Sequence, residues 1–413
     1  MDIIIIGAGI GGLATALSLR ESAPNMQVKV FEAVSEIKPL GVGINLLPHA
    51  SRELVRLGLD PALSRVAVEA QEQVYFTHHG QLVFQEKSGR SAGYDFPHYS
   101  IHRGDLQSVL LEAVRERLGP DKVTCDHRCV GVEQSEDRVT AHFADRTGKR
   151  LPSVSGDILI AADGFDSAVR RQFYSDEVPA FQGINMWRGV TRAKPFLTGH
   201  SHARIGGLHT TGKLVVYPIR DNVDGAGLQL INWVAEVVTN NRDGLDWNAV
   251  GKLEDFYPIF QYWSFPWLDA ARLLRNADFI LSYPMVDRDP IDRWTFGRLT
   301  LLGDAAHPMY PRGGNGGAQA ILDAAAITRC LVTHPDPAAA LVAYEAERLP
   351  FTNKIVLQNR ARPPDIIIDT VERLSGGKPF DNIEDVIAQA ELRRMVEEYQ
   401  NVAGYDHQSV AKG

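Results

Sequence analysis

The sequence predicts an α/β protein: a Rossmann-type dinucleotide-binding domain, discontinuous in the chain, with an inserted mainly β domain and a C-terminal helical tail. Three observations predict it. An apolar strand, a glycine-rich turn, a helical run and a second strand succeed one another within residues 2–32. Short apolar runs of the kind found in buried parallel strands return at 157–161 and 299–302. Between them residues 181–285 are rich in strand patterns, and beyond 317 the pattern turns helical.

Ile3 to Ile6 is unbroken apolar sequence, as a strand covered on both faces requires. Leu13, Ala16, Leu17 and Arg20 follow at helical spacing until Pro24-Asn25 breaks the run. Gln27 to Glu32 alternates as a strand. Val74 to Thr77 and Gln81 to Phe84 flank His78-His79-Gly80 as a β-hairpin, and residues 104–118 read as a helix. Leu214 to Tyr217 and Leu230 to Val234 are strands of the middle region. Helices are expected at 317–333, 337–360 and 383–404, with Gly376-Gly377-Lys378-Pro379 as a loop before the last. The boundaries that follow are 1–72, 100–180 and 286–360 for the dinucleotide domain. Residues 73–99 and 181–285 form the β-rich substrate domain, and 361–413 the tail.

Composition narrows the function. A chain of 413 residues with net charge −8 has no general polyanion-binding surface, so no nucleic acid is expected as partner. No stretch nears the roughly 18 apolar residues of a membrane span, and the chain enters a strand at once without a leader pattern. Three cysteines, Cys125, Cys129 and Cys330, do not make a disulfide framework and point to a reducing, cytoplasmic setting. Cys125-Asp126-His127-Arg128-Cys129 lacks the second ligand cluster of structural zinc, and no metal is expected.

Gly7, Gly9 and Gly12 complete a G-x-G-x-x-G between the first strand and helix. The first glycine permits the tight turn, the second lets backbone approach a pyrophosphate, and the third allows helix–strand packing. Ile10 and Gly11 start the helix, whose free N–H groups and partial positive charge suit phosphate. Glu32 ends the second strand and accepts hydrogen bonds from ribose hydroxyls. That fingerprint alone does not separate FAD from NAD.

Distant motifs decide between them. Ala161-Ala162-Asp163-Gly164-Phe165-Asp166-Ser167-Ala168-Val169-Arg170 and Gly303-Asp304-Ala305-Ala306-His307-Pro308 each follow an apolar strand, and Arg103 stands in His102-Arg103-Gly104-Asp105-Leu106. With the glycine fingerprint, in this order, the chain resembles the single-component (group A) aromatic flavoprotein monooxygenases from its start to about residue 360. The resemblance implies the p-hydroxybenzoate hydroxylase-like fold and noncovalent FAD. Glu32 then holds the adenosine ribose, Asp304 the ribityl chain, and Arg103 the pyrophosphate or ribityl region. Asp163-Gly164 serves FAD and the nicotinamide cofactor. Taken singly, Asp163 capping a helix at 164–172, or Asp304 capping a short turn, remains open. Gly313, Gly314, Asn315 and Gly316, in Pro311-Arg312-Gly313-Gly314-Asn315-Gly316-Gly317, open a helix as a nest of amides for the flavin N1–C2=O edge.

The implied reaction takes a hydride from NADH or NADPH, then O₂, through a flavin C4a-hydroperoxide whose distal oxygen attacks an electron-rich ring. No second G-x-G-x-x-G offers NAD(P)H its own domain. Gly41-Val42-Gly43-Ile44-Asn45, Tyr99 to Gly104, Trp187-Arg188-Gly189-Val190 and Tyr283 to Pro290 are similar to phenazine-modifying members. A small planar aromatic substrate follows, phenazine-like or another aromatic carboxylate, with salicylate- and hydroxynicotinate-type acids open. Gly43 is expected beside the cofactor, and Asn45 and His49 on a loop near the flavin ring. Tyr217 donates to a substrate oxygen or fills a strand core. Arg188 pairs a carboxylate or a surface acid, and His49 faces the ring or merely starts a helix. His307 has a cofactor-side or structural role. The aromatic run 257–268 is domain packing, a lid or a membrane-facing patch, packing being favoured. A flavin halogenase is excluded by the absence of Trp-x-Trp-x-Ile-Pro; an oxidoreductase acting on a non-aromatic substrate and a non-redox FAD-binding protein are the alternatives.

Overall fold

The protein is seen in a computed structural model that describes residues 1–239, 246–247 and 249–412. β1 (Asp2–Ile6) lies inside a six-stranded sheet, paired in parallel with Ile158–Ala161 on one side and β2 (Gln27–Phe31) on the other. Leu299–Leu301 and Val123–Thr124 extend it in parallel, and the short strand Thr295–Phe296 closes one edge antiparallel. Ile3 to Ile6 are all buried, as their unbroken apolar run requires. α1 (Ile10–Ser22) packs Leu13 and Leu17 into that core, and Asn315–Thr333 contributes Ile321 and Ile327.

A second sheet of seven strands runs in the order Phe279–Asp287, Ala180–Ala193, Gln229–Val238, Lys213–Arg220, Ser201–Ile205, Glu72–Phe76, Leu82–Lys87. It is antiparallel except where Ser201–Ile205 lies parallel to Glu72–Phe76. Its two faces differ because strand side chains alternate. Trp187, Leu214, Val216, Trp233 and Ala235 face the segment 256–274, whose Phe256, Phe260, Trp263 and Phe265 are buried against them. The aromatic run is therefore packing, with Tyr262 as its exposed member. Arg188, His202, Arg204, Lys213, Tyr217 and Asn232 occupy the opposite face, against β3 (Gly43–Leu46).

Local chemistry moves several expected boundaries. The helix after the Asp163-Gly164 motif starts at Ala168, not 164, because Gly164 is left-handed and Ser167 Oγ caps by accepting from Arg170 N. The single helix expected at 383–404 divides into a turn at Ile383–Asp385, capped by Asn382, and a helix Gln389–Ala403 that stops at left-handed Gly404. Helices Ile366–Ser375 and His407–Lys412 flank it.

Candidate functional site

The glycine turn after β1 gives each glycine a different neighbour. A Cβ on Gly7, which sits at φ +100°, would lie 2.3 Å from the Ala162 carbonyl oxygen, and one on Gly12 2.0 Å from that of Gly7. A Cβ on Gly9 would meet nothing within 4 Å. Gly9 is also the N-cap of α1 and has no side chain to offer, so the first amides of the helix lack a side-chain cap, and Gly9 itself lines a cleft of about 400 Å³. Gly11 is held within reach of Leu302 and Ala320, away from the cleft.

Glu32 lines the same cleft at the end of β2. Its Oε2 accepts from Ala8 N at 2.8 Å and its Oε1 from Val34 N at 3.0 Å. The carboxylate is thus locked in place while each oxygen keeps a lone pair for a ribose hydroxyl. Gln107, which sequence reasoning missed, reaches back to the Ala8 carbonyl at 2.8 Å.

Asp163 braces the helix start of its motif and keeps one oxygen unpartnered. Its Oδ2 accepts from Ala168 N at 2.8 Å, bracing the helix start, whereas Oδ1 is buried with no partner. Burial pushes the Asp163 carboxyl up, against its hydrogen bonds. Gly164, left-handed at φ +78°, leaves open space beside it. Asp304 caps nothing: the turn Gly303–Ala305 has no side-chain cap, and the carboxylate makes no hydrogen bond among the described residues. Its side chain is accessible to solvent, yet the protein around it raises its pKa, while His307 and Arg103 draw it down. Arg103, the exposed first residue of helix Arg103–Leu118, is thereby near Asp304 and lines the cleft.

Gly313 and Gly314 follow one another in the left-handed region, and Gly314 caps helix Asn315–Thr333 without a side chain. The amides of Asn315 and Gly316 are therefore free of intrahelical partners. The buried Asn315 side chain donates through Nδ2 to Tyr399 Oη at 2.8 Å, and its Oδ1 has no partner. Beneath this helix His307 Nε2 meets Asp323 Oδ2 at 2.6 Å, and Arg348 bonds Asp323 Oδ1 at 2.7 Å and Gln319 Oε1 at 2.6 Å. Burial works against the Asp323 charge, yet His307 and Arg348 hold its pKa down at about 2. His307 thus braces the scaffold.

Asn45 and His49 are not on a loop. Asn45 lies in β3, paired with Tyr99–His102, and its Oδ1 accepts from Ser100 Oγ at 2.7 Å. His49 is the second residue of helix Pro48–Arg56, buried beside Gln319 and Tyr405. Burial foremost, then Arg52 and Arg348, lower its pKa to about 3, so the ring is neutral.

On the polar face of the seven-stranded sheet, Arg188 and Tyr217 converge on one atom. The Gly43 carbonyl oxygen accepts from Arg188 Nη2 at 2.6 Å and from Tyr217 Oη at 2.8 Å, and Asn232 Oδ1 accepts from Gly43 N at 2.7 Å. Arg188 Nη1 donates to Tyr283 Oη at 3.0 Å, and its Nε is buried without a partner. Arg188 forms no ion pair among the described residues. Burial opposes its charge, but the Tyr283 and Tyr217 oxygens more than compensate and its pKa is raised.

The register sets Arg188, Val234, Val215 and Arg204 side by side across four strands. Arg204, unlike Arg188, is neutralised: Asp365 Oδ1 lies 3.0 Å from its Nε, and Gln73 Oε1 accepts from its Nη1 at 2.9 Å. Met186, Val215, Val234, Leu281, Tyr283 and Tyr310 form the apolar lining of this face. His202, missed from the sequence, is buried with neither ring nitrogen partnered and stands edge-on to Tyr217 at 4.7 Å. The alternation of His202 with Arg204, and of Lys213, Val215 and Tyr217, was its one sequence signal.

The cradle fits FAD. Open space at Gly9 admits a pyrophosphate, the fixed Glu32 and unpartnered Asp304 suit sugar hydroxyls, and the orphaned Asp163 and Asn315 oxygens need donors. The family model described as "FAD binding domain" matches residues 1–237 and 282–359. The phenazine 1,6-dicarboxylic acid hydroxylase PhzS of Lysobacter antibioticus is 41% identical over 98% of both chains. The 3-amino-4-hydroxybenzoate 2-monooxygenase PtnB3 of Streptomyces platensis is 33% identical over 87% of both. Klebsiella pneumoniae HpxO, crystallised with FAD and uric acid, superposes with TM-score 0.74 at 25% identity, covering 100% of this chain and 97% of HpxO. These matches show that the chain belongs to the FAD-binding-domain family, as an FAD-dependent monooxygenase.

Proposed function

We propose that this flavoprotein hydroxylates a planar aromatic carboxylate, with a phenazine acid as the foremost substrate class. One observation carries the reading: Arg188 is a half-buried guanidinium with a buried, unpartnered Nε and no counter-ion among the described residues, at the edge of an apolar surface, and such a charge is costly unless an anion completes it. The relatives' names add support, since they act on phenazine 1,6-dicarboxylic acid, 3-amino-4-hydroxybenzoate and 6-hydroxynicotinate, all of them acids.

Bound FAD supplies hydride acceptance from NADH or NADPH and the activation of O₂. The balance is ring C–H, O₂, NAD(P)H and H⁺ going to ring C–OH, H₂O and NAD(P)⁺. The chain's own work is placement. Glu32 holds the adenosine ribose, the α1 amides and Arg103 the pyrophosphate, and Asp304 the ribityl hydroxyls. Gly313 to Gly316 present amides to the pyrimidine edge. Arg188 takes the substrate carboxylate, the Tyr217 hydroxyl stands beside it, and Val215, Val234 and Leu281 exclude water from the reacting ring. Among the described residues no helix is long and apolar enough to cross a membrane. The free thiols Cys125, Cys129 and Cys330 support a cytoplasmic setting.

The test supplies FAD-loaded protein with NADH or NADPH and with phenazine, benzoate and nicotinate carboxylates beside their carboxamides. The expected result is acid-dependent NAD(P)H oxidation with one ¹⁸O from ¹⁸O₂ in the product. Hydroxylation of the amides with the acids inert, or acids yielding hydrogen peroxide alone, would overturn the proposal.

A further inference from the structure

The family match ends at residue 359, yet a residue of the tail beyond it touches the flavin-side loop. Tyr399 lies in helix Gln389–Ala403 and is 2% exposed. Its oxygen accepts from Asn315 Nδ2 at 2.8 Å, and its hydroxyl has the Asn359 Oδ1 at 2.6 Å and the Arg312 carbonyl at 3.4 Å as acceptors. With one proton, the hydroxyl donates to the nearer Asn359. Asn315 Nδ2 also leans on the Gly313 carbonyl at 3.4 Å. A Cβ on Gly313 would stand 2.1 Å from the Tyr399 oxygen, so the loop and the tail are fitted to each other at contact distance. Burial foremost pushes the Tyr399 ionisation far above its ordinary range, leaving a neutral hydroxyl.

The same tail grips the substrate sheet. Asp365, just before helix Ile366–Ser375, takes Lys213 Nζ at 2.5 Å and Arg204 Nε at 3.0 Å. We propose that Tyr399 is a positioning residue for the reaction: from the tail, its hydroxyl orients the Asn315 amide and so fixes the Gly313–Gly316 amides against the flavin pyrimidine edge. The inference rests on the assignment of that loop to the flavin ring. Because two successive left-handed glycines have wide conformational freedom, the loop needs an outside anchor to hold one arrangement.

The experiment compares Tyr399→Phe with Tyr405→Phe and Gly316→Ala. Tyr405 is buried in the same small cluster and serves as the packing control. Beside Gly316, a Cβ would find only the Asp304 carboxylate, at 3.9 Å. Each variant is titrated with FAD from the apoprotein, and its visible spectrum, flavin reduction potential and peroxide yield are recorded. Tyr399→Phe should raise the FAD Kd roughly tenfold, equivalent to about 1.4 kcal/mol. It should also shift the spectrum and potential and increase peroxide at unchanged substrate KM, while Tyr405→Phe stays as wild type. A silent Tyr399→Phe with a perturbed Gly316→Ala overturns the anchor. Silence in both overturns the inference through its premise, the loop assignment. Equal effects of Tyr399→Phe and Tyr405→Phe reduce Tyr399 to packing.

Discussion

Replacing Arg188 by Met removes a guanidinium while keeping much of its length and apolar stem. In the folded protein Arg188 bonds Gly43 O and Tyr283 Oη, with Nε left over. For an acid substrate the variant loses a buried, charge-assisted contact, a truncation that costs ~2–4 kcal/mol and lowers kcat/KM about thirty- to a thousandfold. A carboxamide substrate, which offers no charge, should lose no more than about fivefold, the ~1 kcal/mol of a neutral hydrogen bond. Because the contact forms before and during reaction alike, the loss should fall mainly on KM. Stability moves the other way: deleting a buried charge without a counter-ion leaves Tm unchanged or raised, and Gly43 O keeps Tyr217. The assay is NAD(P)H oxidation with phenazine-1-carboxylate and its carboxamide, beside an FAD titration that should not change. Equal losses for acid and amide would refute the reasoning, since they would make Arg188 a structural brace and not a charge reader.

Two more outcomes follow from the geometry. Gly9→Ala puts its methyl in open space, so the apoprotein should melt as wild type while the FAD Kd rises; Gly12→Ala puts it 2.0 Å from the Gly7 carbonyl and should destabilise the apoprotein itself. Apoprotein melting and FAD titration of the pair check this, and an equal effect on both readouts in both variants would contradict it. Acid sensitivity should begin early: His49 and His98 are each held at about 3, chiefly by burial, against an ordinary value of 6.5. Their unfolded forms take protons first, so stability is full above pH 6.5 and is lost steadily as pH falls toward 3. Tm measured from pH 7.5 to 4.5 should show this slope, and His98→Gln should flatten it.

What was legible in the sequence was local. Ile3 to Ile6 named a covered strand because four adjacent apolar residues leave no face for water, and Gly7, Gly9 and Gly12 named a turn because their spacing is a property of one short segment. The partners of Arg188 were not legible. Gly43 stands 145 residues from Arg188, 174 from Tyr217 and 189 from Asn232, and only the strand register of the seven-stranded sheet and the packing of β3 against it bring them together. His202 was missed for the same reason: one imidazole in a strand looks like any other until its face is known. Of the two roles open for Asp163, the helix brace is visible in its Oδ2, which bonds Ala168 N, while its Oδ1 has no partner. Residues 383–404 read as one helix because periodicity survives Ile383–Asp385, whereas the stops depend on Asn382 and Gly404 as caps.

Gly43 was expected beside the cofactor, and its geometry adds a reason for the site's selectivity. Its amide and carbonyl are engaged by the seven-stranded sheet, and a Cβ there would lie 2.7 Å from Asn232 and from Ile219, so β3 and that sheet are held at one separation. That contact occupies Arg188 Nη2, and Tyr283 occupies Nη1. If Arg188 reads the substrate as proposed, a carboxylate would complete the hydrogen-bond set of a guanidinium whose buried Nε lacks an acceptor, without needing the bonds to Gly43 and Tyr283. A neutral ring gains nothing at that position and leaves the charge as costly as before. The proposed preference for acids would thus rest on the incomplete hydrogen-bond set of Arg188.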